Sequence, residues 1–422
     1  MAGKKILFES RDPSGIFGDG LSRFIGPSAM TVSLSREFLL MAACSTWPPS
    51  DHRTDAIRAA AAEPLDWNLF ERIVTRHRVV GLAYEGLRTA GVQVPALTVE
   101  DLGNRAAALV RAGLVSAAEA ARLQSLFDKA ALPVLFVKGP SLAMLAYGNL
   151  GLRESKDLDL FVPPESLASA TALIESAGYR RYEPPPNILP SQMKLLLPFR
   201  RDFGYFHEES QLELELHWRL LSNPHLMADT TIISSSRVVP LKGTAGLRTL
   251  GEDDLFAYLC AHGAVHSWYQ FKWLADVGAL LASAPEGGAE RLYRAAELRG
   301  AGAAAAQAIL LCKRLLGTRV PGHLITLLRK HAAMEWLETT ALKAMNNELE
   351  PGKLPLGTTR GSLSSFLLGR GWRYWLAELK GHLICQADVM TLALPKELHF
   401  LYPVLRLPLW LWRQVTRRYR LL

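Results

Sequence analysis

The stretch from Val134 to Val162 limits what this chain can become more than any other. Val134-Leu135-Phe136-Val137 is a short apolar run of β-forming residues. Lys138 and Gly139 end the run, and Pro140 suits the first turn of a helix. Ser141 to Tyr147 is short and mostly apolar, as a small helix against a sheet should be. Then Asp157-Leu158-Asp159-Leu160 alternates polar with apolar. On a strand, residues i and i+2 share a face, so both carboxylates fall on one side and both leucines on the other. The predicted order is strand, glycine turn, helix, acidic strand.

Two carboxylates on one face repel, and at least one pKa should rise unless a cation sits between them. Oxygen ligands suit magnesium, which usually takes one or two protein carboxylates and completes its shell with substrate phosphates. A glycine turn ahead of a helix offers backbone N–H groups and the positive end of a helix dipole, which suits phosphate. Together these are the equipment for nucleotidyl or phosphoryl transfer. A second acidic face follows downstream. Phe203–Phe206 and Leu212–Trp218 alternate as hairpin strands do, and Glu213, Glu215 and His217 share one side.

Lys138-Gly139, Tyr147, Arg153, Asp157-x-Asp159, Gly178-Tyr179 and Glu215-Leu216-His217-Trp218 resemble the uncharacterised bacterial nucleotidyltransferase family of the polymerase-β-like superfamily. The resemblance is strongest over residues 130–220 and extends through Asp66-Trp67, His77-Arg78-Val79 and the segment from Leu255 to Leu281. It implies an α+β fold, with a polymerase-β-like nucleotidyltransferase core (a small mixed sheet with helices) embedded in a largely α-helical surround. It also implies a magnesium-dependent enzyme that moves a nucleoside monophosphate from an NTP such as ATP to a hydroxyl, releasing pyrophosphate; the widely spaced cysteines, read as reduced thiols, place the protein in the cytoplasm. In that pattern Asp157 and Asp159 hold two Mg2+ ions, and Glu215 is the third carboxylate, with Glu213 as the alternative. Lys138, Gly139, Ser141 and Arg153 lie on the phosphate side. The superfamily more often has Gly-Ser at this turn, where this chain reads Lys-Gly-Pro-Ser. Ser141 either donates to a phosphate or bonds within the helix start. Arg153 either clamps phosphate or pairs with Glu154 or Asp157. The acceptor stays open between small molecule, peptide, protein and RNA. Two other readings use the same residues: a catalytically idle nucleotide-binding scaffold, and a toxin–antitoxin-type nucleotidyltransferase acting on tRNA or protein.

Other groups are weighed against plainer roles. His77 and Arg78 form either a basic lip over the nucleotide or a helix-end charge pair. His262 and His266 are four apart on a predicted helix and share a face. That spacing suits zinc, but Gly263 stands where H-E-x-x-H has its glutamate, so two histidines lining a cleft are expected instead. Lys272 and Asp276, in Trp268-x-x-x-Lys272-Trp273-x-x-Asp276, either close over the substrate or form a buried ion pair that fixes the helix.

Charge is distributed unevenly. The net charge is +8, and residues 351–422 alone hold eleven Lys/Arg against three acids, so the rest of the chain is balanced. The basic, aromatic tail either touches nucleic acid or an anionic surface, or is a solvated helix packed by Trp410 and Trp412. The four cysteines are far apart and read as reduced thiols. No uninterrupted apolar run is long enough to suggest a transmembrane segment. Expected regions are residues 1–32 (disordered, or ahead of a true start at Met30 or Met41), an N-terminal helical region 33–130, the nucleotidyltransferase core 131–250, a helical domain 251–350, and the C-terminal region 351–422.

Overall fold

The computed structural model describes residues 32–227, 232–347 and 359–419. The expectation for residues 1–32 therefore lies outside the described residues except at Val32. The architecture is a small mixed sheet set among helices, with two strands forming a separate ribbon.

The five-stranded sheet uses β1 (Leu135–Phe136), β2 (Asp157–Phe161), β3 (Tyr179–Glu183), β4 (Asp202–His207) and β5 (Leu212–His217), in the order β1-β2-β5-β4-β3. β1 runs antiparallel to β2, and β4 is antiparallel to both β5 and β3. β2 and β5 are parallel, with Asp157 beside Glu213, Asp159 beside Glu215 and Phe161 beside His217. The ribbon pairs β6 (Arg237–Val239) with β7 (Leu247–Thr249). Thr249 Oγ1 ties it to the main sheet by donating to Phe136 O at 2.7 Å.

Period-2 alternation divides the sheet into unlike faces. Leu158, Leu160, Leu214, Leu216, Phe203 and Tyr205 form an apolar core with Leu123 and Phe127 of the long helix Ala96–Lys129. The opposite face carries the carboxylates. The helices on either side of the sheet in sequence share one large core, in which Phe38, Phe70 and Val74 join Leu255, Phe271, Leu274 and Ile309. His77 stitches these groups together: its Nδ1 accepts from Phe271 N at 3.1 Å. Burial, then Arg76, pushes its pKa down to about 3, so the ring is neutral and serves packing. Arg78 adopts a left-handed backbone at the helix end and lies 3.9 Å from Glu154.

Several elements differ from expectation. The stretch from Glu290 to Leu316, expected to be helical, is so as two helices, Gly288–Leu298 and Gly302–Leu316, separated at Gly300, whose φ of 78° suits a residue without a side chain. The Gly/Ser/Pro bias of Pro351–Gly371 predicts a loop; residues 351–358 lie outside the described residues, and Thr359–Ser365 is helical. The tail helix Tyr402–Tyr419 is anchored by fully buried Tyr402, and by Arg406 and Arg413 on buried Asp388. Trp410 and Trp412, the residues expected to pack it, are exposed.

Candidate active site

The site begins at Gly139. Its φ of 68° and ψ of −137° lie where side chains are strained, so glycine alone turns the chain comfortably from β1 into the helix Pro140–Tyr147. Ser141 secures the turn. Its fully buried Oγ donates to Phe136 O at 2.7 Å and lies 2.9 Å from Lys138 O. Of the two roles weighed for Ser141, these contacts are those of the turn itself.

The turn aims Lys138 at the acidic face. Its Nζ sits 2.8 Å from Asp159 Oδ1 and over the Tyr258 ring, 5.8 Å from the centroid. The parallel register sets Glu215 beside Asp159, and His217 Nε2 lies 3.3 Å from Asp159 Oδ1 and 3.2 Å from Glu215 Oε2. Asp202, opposite His217 on β4, is 3.7 Å from His217 Nδ1 and is held by Arg201 at 3.0 Å. Exposure increases along β5, from buried His217 through partly covered Glu215 to exposed Glu213. Gly204 faces Glu215 from β4, and a Cβ there would stand 2.9 Å from the Tyr182 ring, so the missing side chain admits that ring above the carboxylates.

The electrostatics follow from this crowding. Burial, then Asp159, raises the Asp157 pKa. Burial also works against ionised Asp159, but Lys138 and His217 hold it well below the usual carboxylate range. His217 is disfavoured as a cation by burial, yet its bonds to Asp159 and Glu215 raise its pKa overall. Despite these neighbours, Asp159 Oδ1 and both ring nitrogens of His217 are buried without a hydrogen bond of good geometry. The close approaches to Asp159 Oδ1 are ion pairs set by distance, not aligned bonds.

Asp159, Glu215 and His217 can each present a ligand atom within 4.8 Å of the others. Asp157, two residues before Asp159 on the same face, adds a third acidic oxygen donor. Unsatisfied buried acceptors and clustered like charges fit a divalent cation. The oxygens suit magnesium, while the imidazole adds a donor that magnesium seldom uses.

Arg153, beside the same turn, is engaged by another partner. Its Nε donates to Asp276 Oδ2 and Oδ1 at 3.0 and 3.1 Å, and Tyr147 donates to the same carboxylate at 3.0 Å. Its partner is thus neither Glu154 nor Asp157, and the guanidinium is buried away from solvent. The ion pair considered for Lys272 with Asp276 is formed by Arg153 in its place. Lys272 Nζ donates to Glu154 O at 3.4 Å, and burial, then Arg153 and Arg78, pushes its pKa down to about 7. His262 meets Trp273 edge-on at 5.2 Å, and His266 lies tilted against it at 5.3 Å. Burial pushes the pKa of His262 well down and that of His266 to about 3, so both are neutral aromatic walls beside the cations Lys138 and Arg201.

Sequence reasoning left His217, Asp202, Arg201, Tyr182 and Tyr258 outside the candidate set. The signal for His217 was present, since it is two residues beyond Glu215 on an alternating strand. Asp202 and Arg201 needed the hairpin register, and Tyr258 needed the tertiary fold. A family model described as an uncharacterised nucleotidyltransferase matches residues 63–317, spanning the sheet and the helices that cover its charged face. No curated protein and no solved structure matches the chain.

Proposed function

Because the chain belongs to that uncharacterised nucleotidyltransferase family, whose model covers more than half of it, we propose that it is a magnesium-dependent enzyme. It transfers a nucleoside monophosphate from an NTP to a hydroxyl acceptor, on a polymerase-β-like core. The observation that carries this reading is the charged sheet face, where Asp157, Asp159 and Glu215 crowd together on parallel strands and a buried oxygen of Asp159 has close cations but no well-aligned hydrogen bond.

In this mechanism Asp157 and Asp159 hold Mg2+, and Glu215 completes the site. Bound there, the metal neutralises charge that grows on the phosphoryl oxygens. Lys138 exchanges Asp159 for the β- and γ-phosphates, keeping an anionic partner throughout. The acceptor oxygen forms a new bond to the α-phosphorus as the bond to the β-phosphate oxygen breaks. Pyrophosphate leaves with that electron pair. Glu215, less buried than Asp159, takes the hydroxyl proton. Neutral His262, His266 and Trp273 wall the site and keep water from competing with the acceptor.

The test is isothermal titration of the full chain with each NTP, with and without magnesium, beside the Asp157→Asn/Asp159→Asn double variant. Magnesium-dependent binding should appear in the wild type and vanish in the variant, whose circular dichroism stays unchanged. A double variant that binds Mg–NTP like wild type would sink the assignment. Binding with no pyrophosphate released on any acceptor pool would favour the idle scaffold instead.

A further inference from the structure

The C-terminal region reverses the usual rule of burial. In the helix Tyr402–Tyr419, Val404, Leu407 and Leu411 recur at helical spacing and are 72, 63 and 50 % exposed. Trp412 and, just ahead of the helix, Phe400 are also exposed. The neighbouring helix Trp372–Leu383 bares Trp372, Leu376 and Leu379, again at i, i+4 and i+7. This surface is held rigidly: buried Asp388 binds Arg406 at 2.9 Å and Arg413 at 2.5 Å, and Tyr402 packs with Leu196 and Val389.

We propose that these helices form a monotopic membrane-binding surface for bilayers bearing anionic headgroups. The inference is independent of the nucleotidyltransferase reading. An amphipathic helix of this kind lies in the interface, with its apolar side chains among the acyl chains and basic residues at headgroup level. Tryptophans at the rim suit that depth. Charge complementarity selects the occupant. Residues 351–422 hold eleven Lys/Arg against three acids. Of the three acids, Asp388 is consumed by its two arginines, Glu378 accepts from Asn223 at 2.8 Å and lies 3.4 Å from His382, and Glu397 is exposed beside Lys396. Arg370, Arg373, Lys380 and Lys396 are exposed. A second copy of the chain would bring the same positive charge to the contact and be repelled. Nucleic acid would need exposed cations along the helix, whereas among its described side chains Arg406 and Arg413 are spent on Asp388 and the outward residues between them are apolar. No helix among the described residues is long and apolar enough to cross a membrane, so the surface rests on the bilayer and does not span it.

The full chain should co-sediment with vesicles of phosphatidylcholine plus phosphatidylserine, and at least ~10-fold more weakly with phosphatidylcholine alone. Raising the salt should release it. Leu407→Glu with Leu411→Glu should reduce binding by a similar ~10-fold or more, with an unchanged melting curve by circular dichroism. Lys380→Glu with Lys396→Glu is the second variant, because it leaves the apolar packing untouched; it should weaken binding to the anionic vesicles only. Failure of wild type to bind anionic vesicles overturns the proposal. So does a dimer in light scattering that the leucine variant abolishes, or an RNA shift that persists when the leucines are replaced.

Discussion

Two buried ion pairs flank the same glycine turn, and they are built differently. Arg153–Asp276 is closed: both carboxylate oxygens accept from Arg153 Nε, Tyr147 adds a third bond, and the two side chains are 3 and 0 % exposed. Lys138–Asp159 is open. It has one close approach at 2.8 Å, an acceptor atom without a well-aligned bond, and further carboxylates crowding from Asp157 and Glu215. The closed pair has every group answered and no neighbour to exchange with. The open pair holds charges together that would separate if another cation or anion were offered. A buried charge pair by itself is therefore weak ground for calling a residue functional. What separates the two is whether the surrounding groups satisfy the pair or compete for it.

The sharpest way to break this comparison is to neutralise each aspartate in turn. Asp276→Asn leaves the Arg153 guanidinium in the interior without a carboxylate, which should cost about 3–5 kcal/mol of stability. Asp159→Asn also removes a carboxylate that the fold stabilises in its ionised form, but it leaves Lys138 within the field of Asp157 and relieves a like-charge contact, so its loss should be smaller than that of Asp276→Asn. Urea denaturation of both variants at neutral pH checks the difference. Equal losses would mean that Lys138–Asp159 is as structural as its neighbour.

A second test uses protons. The His217 pKa is raised in the fold, so the stability from its contacts with Asp159 and Glu215 is complete below the unfolded value. That stability is lost as pH rises through the folded value. A cation bound at these residues competes with that proton and with the one on Asp157, whose pKa is also raised. Magnesium affinity should therefore increase with pH through neutrality, by up to ~10-fold per unit if one proton is released. Titration calorimetry in buffers of different ionisation enthalpy counts the protons. A flat profile with no proton release would remove His217 from the ligand set.

The two pairs also differ in how far sequence revealed them. Alternation along Asp157-Leu158-Asp159-Leu160 foretold a strand with both carboxylates on one face, and the strand is there. The same alternation put Glu213, Glu215 and His217 on one face of a hairpin strand, which the fold also has. Local spacing could not foretell that this strand runs parallel to the first and sets Glu215 beside Asp159, because that pairing crosses more than fifty residues of chain. Arg153 shows the limit most clearly. Its neighbours in sequence offered Glu154 and Asp157 as partners, but the fold brings Asp276 from 123 residues away. In the tail, composition exposed the basic bias, but not that two of its arginines turn inward to Asp388 while leucines and tryptophans face out. Period and local charge are readable from sequence; which distant charge answers a buried one is decided by packing.

The smallest expected effect is the most diagnostic. Burial and Asp159 together raise the Asp157 pKa, so its ionised form costs stability at neutral pH. The sign follows from linkage: a carboxyl whose folded pKa exceeds its unfolded value destabilises the fold above that value, and the penalty fades as pH falls through it. Asp157→Asn removes the charge and keeps the shape, so it should raise stability by up to about 1 kcal/mol while abolishing magnesium-dependent NTP binding. The gain should shrink as the pH is lowered and wild-type Asp157 protonates. A residue retained at a cost to the fold is one the fold does not need, which is the behaviour expected of a metal ligand and opposite to that of Asp276. If thermal melts show Asp157→Asn to be destabilised at neutral pH, Asp157 is a structural partner of Lys138, and the open pair is only an incompletely closed one.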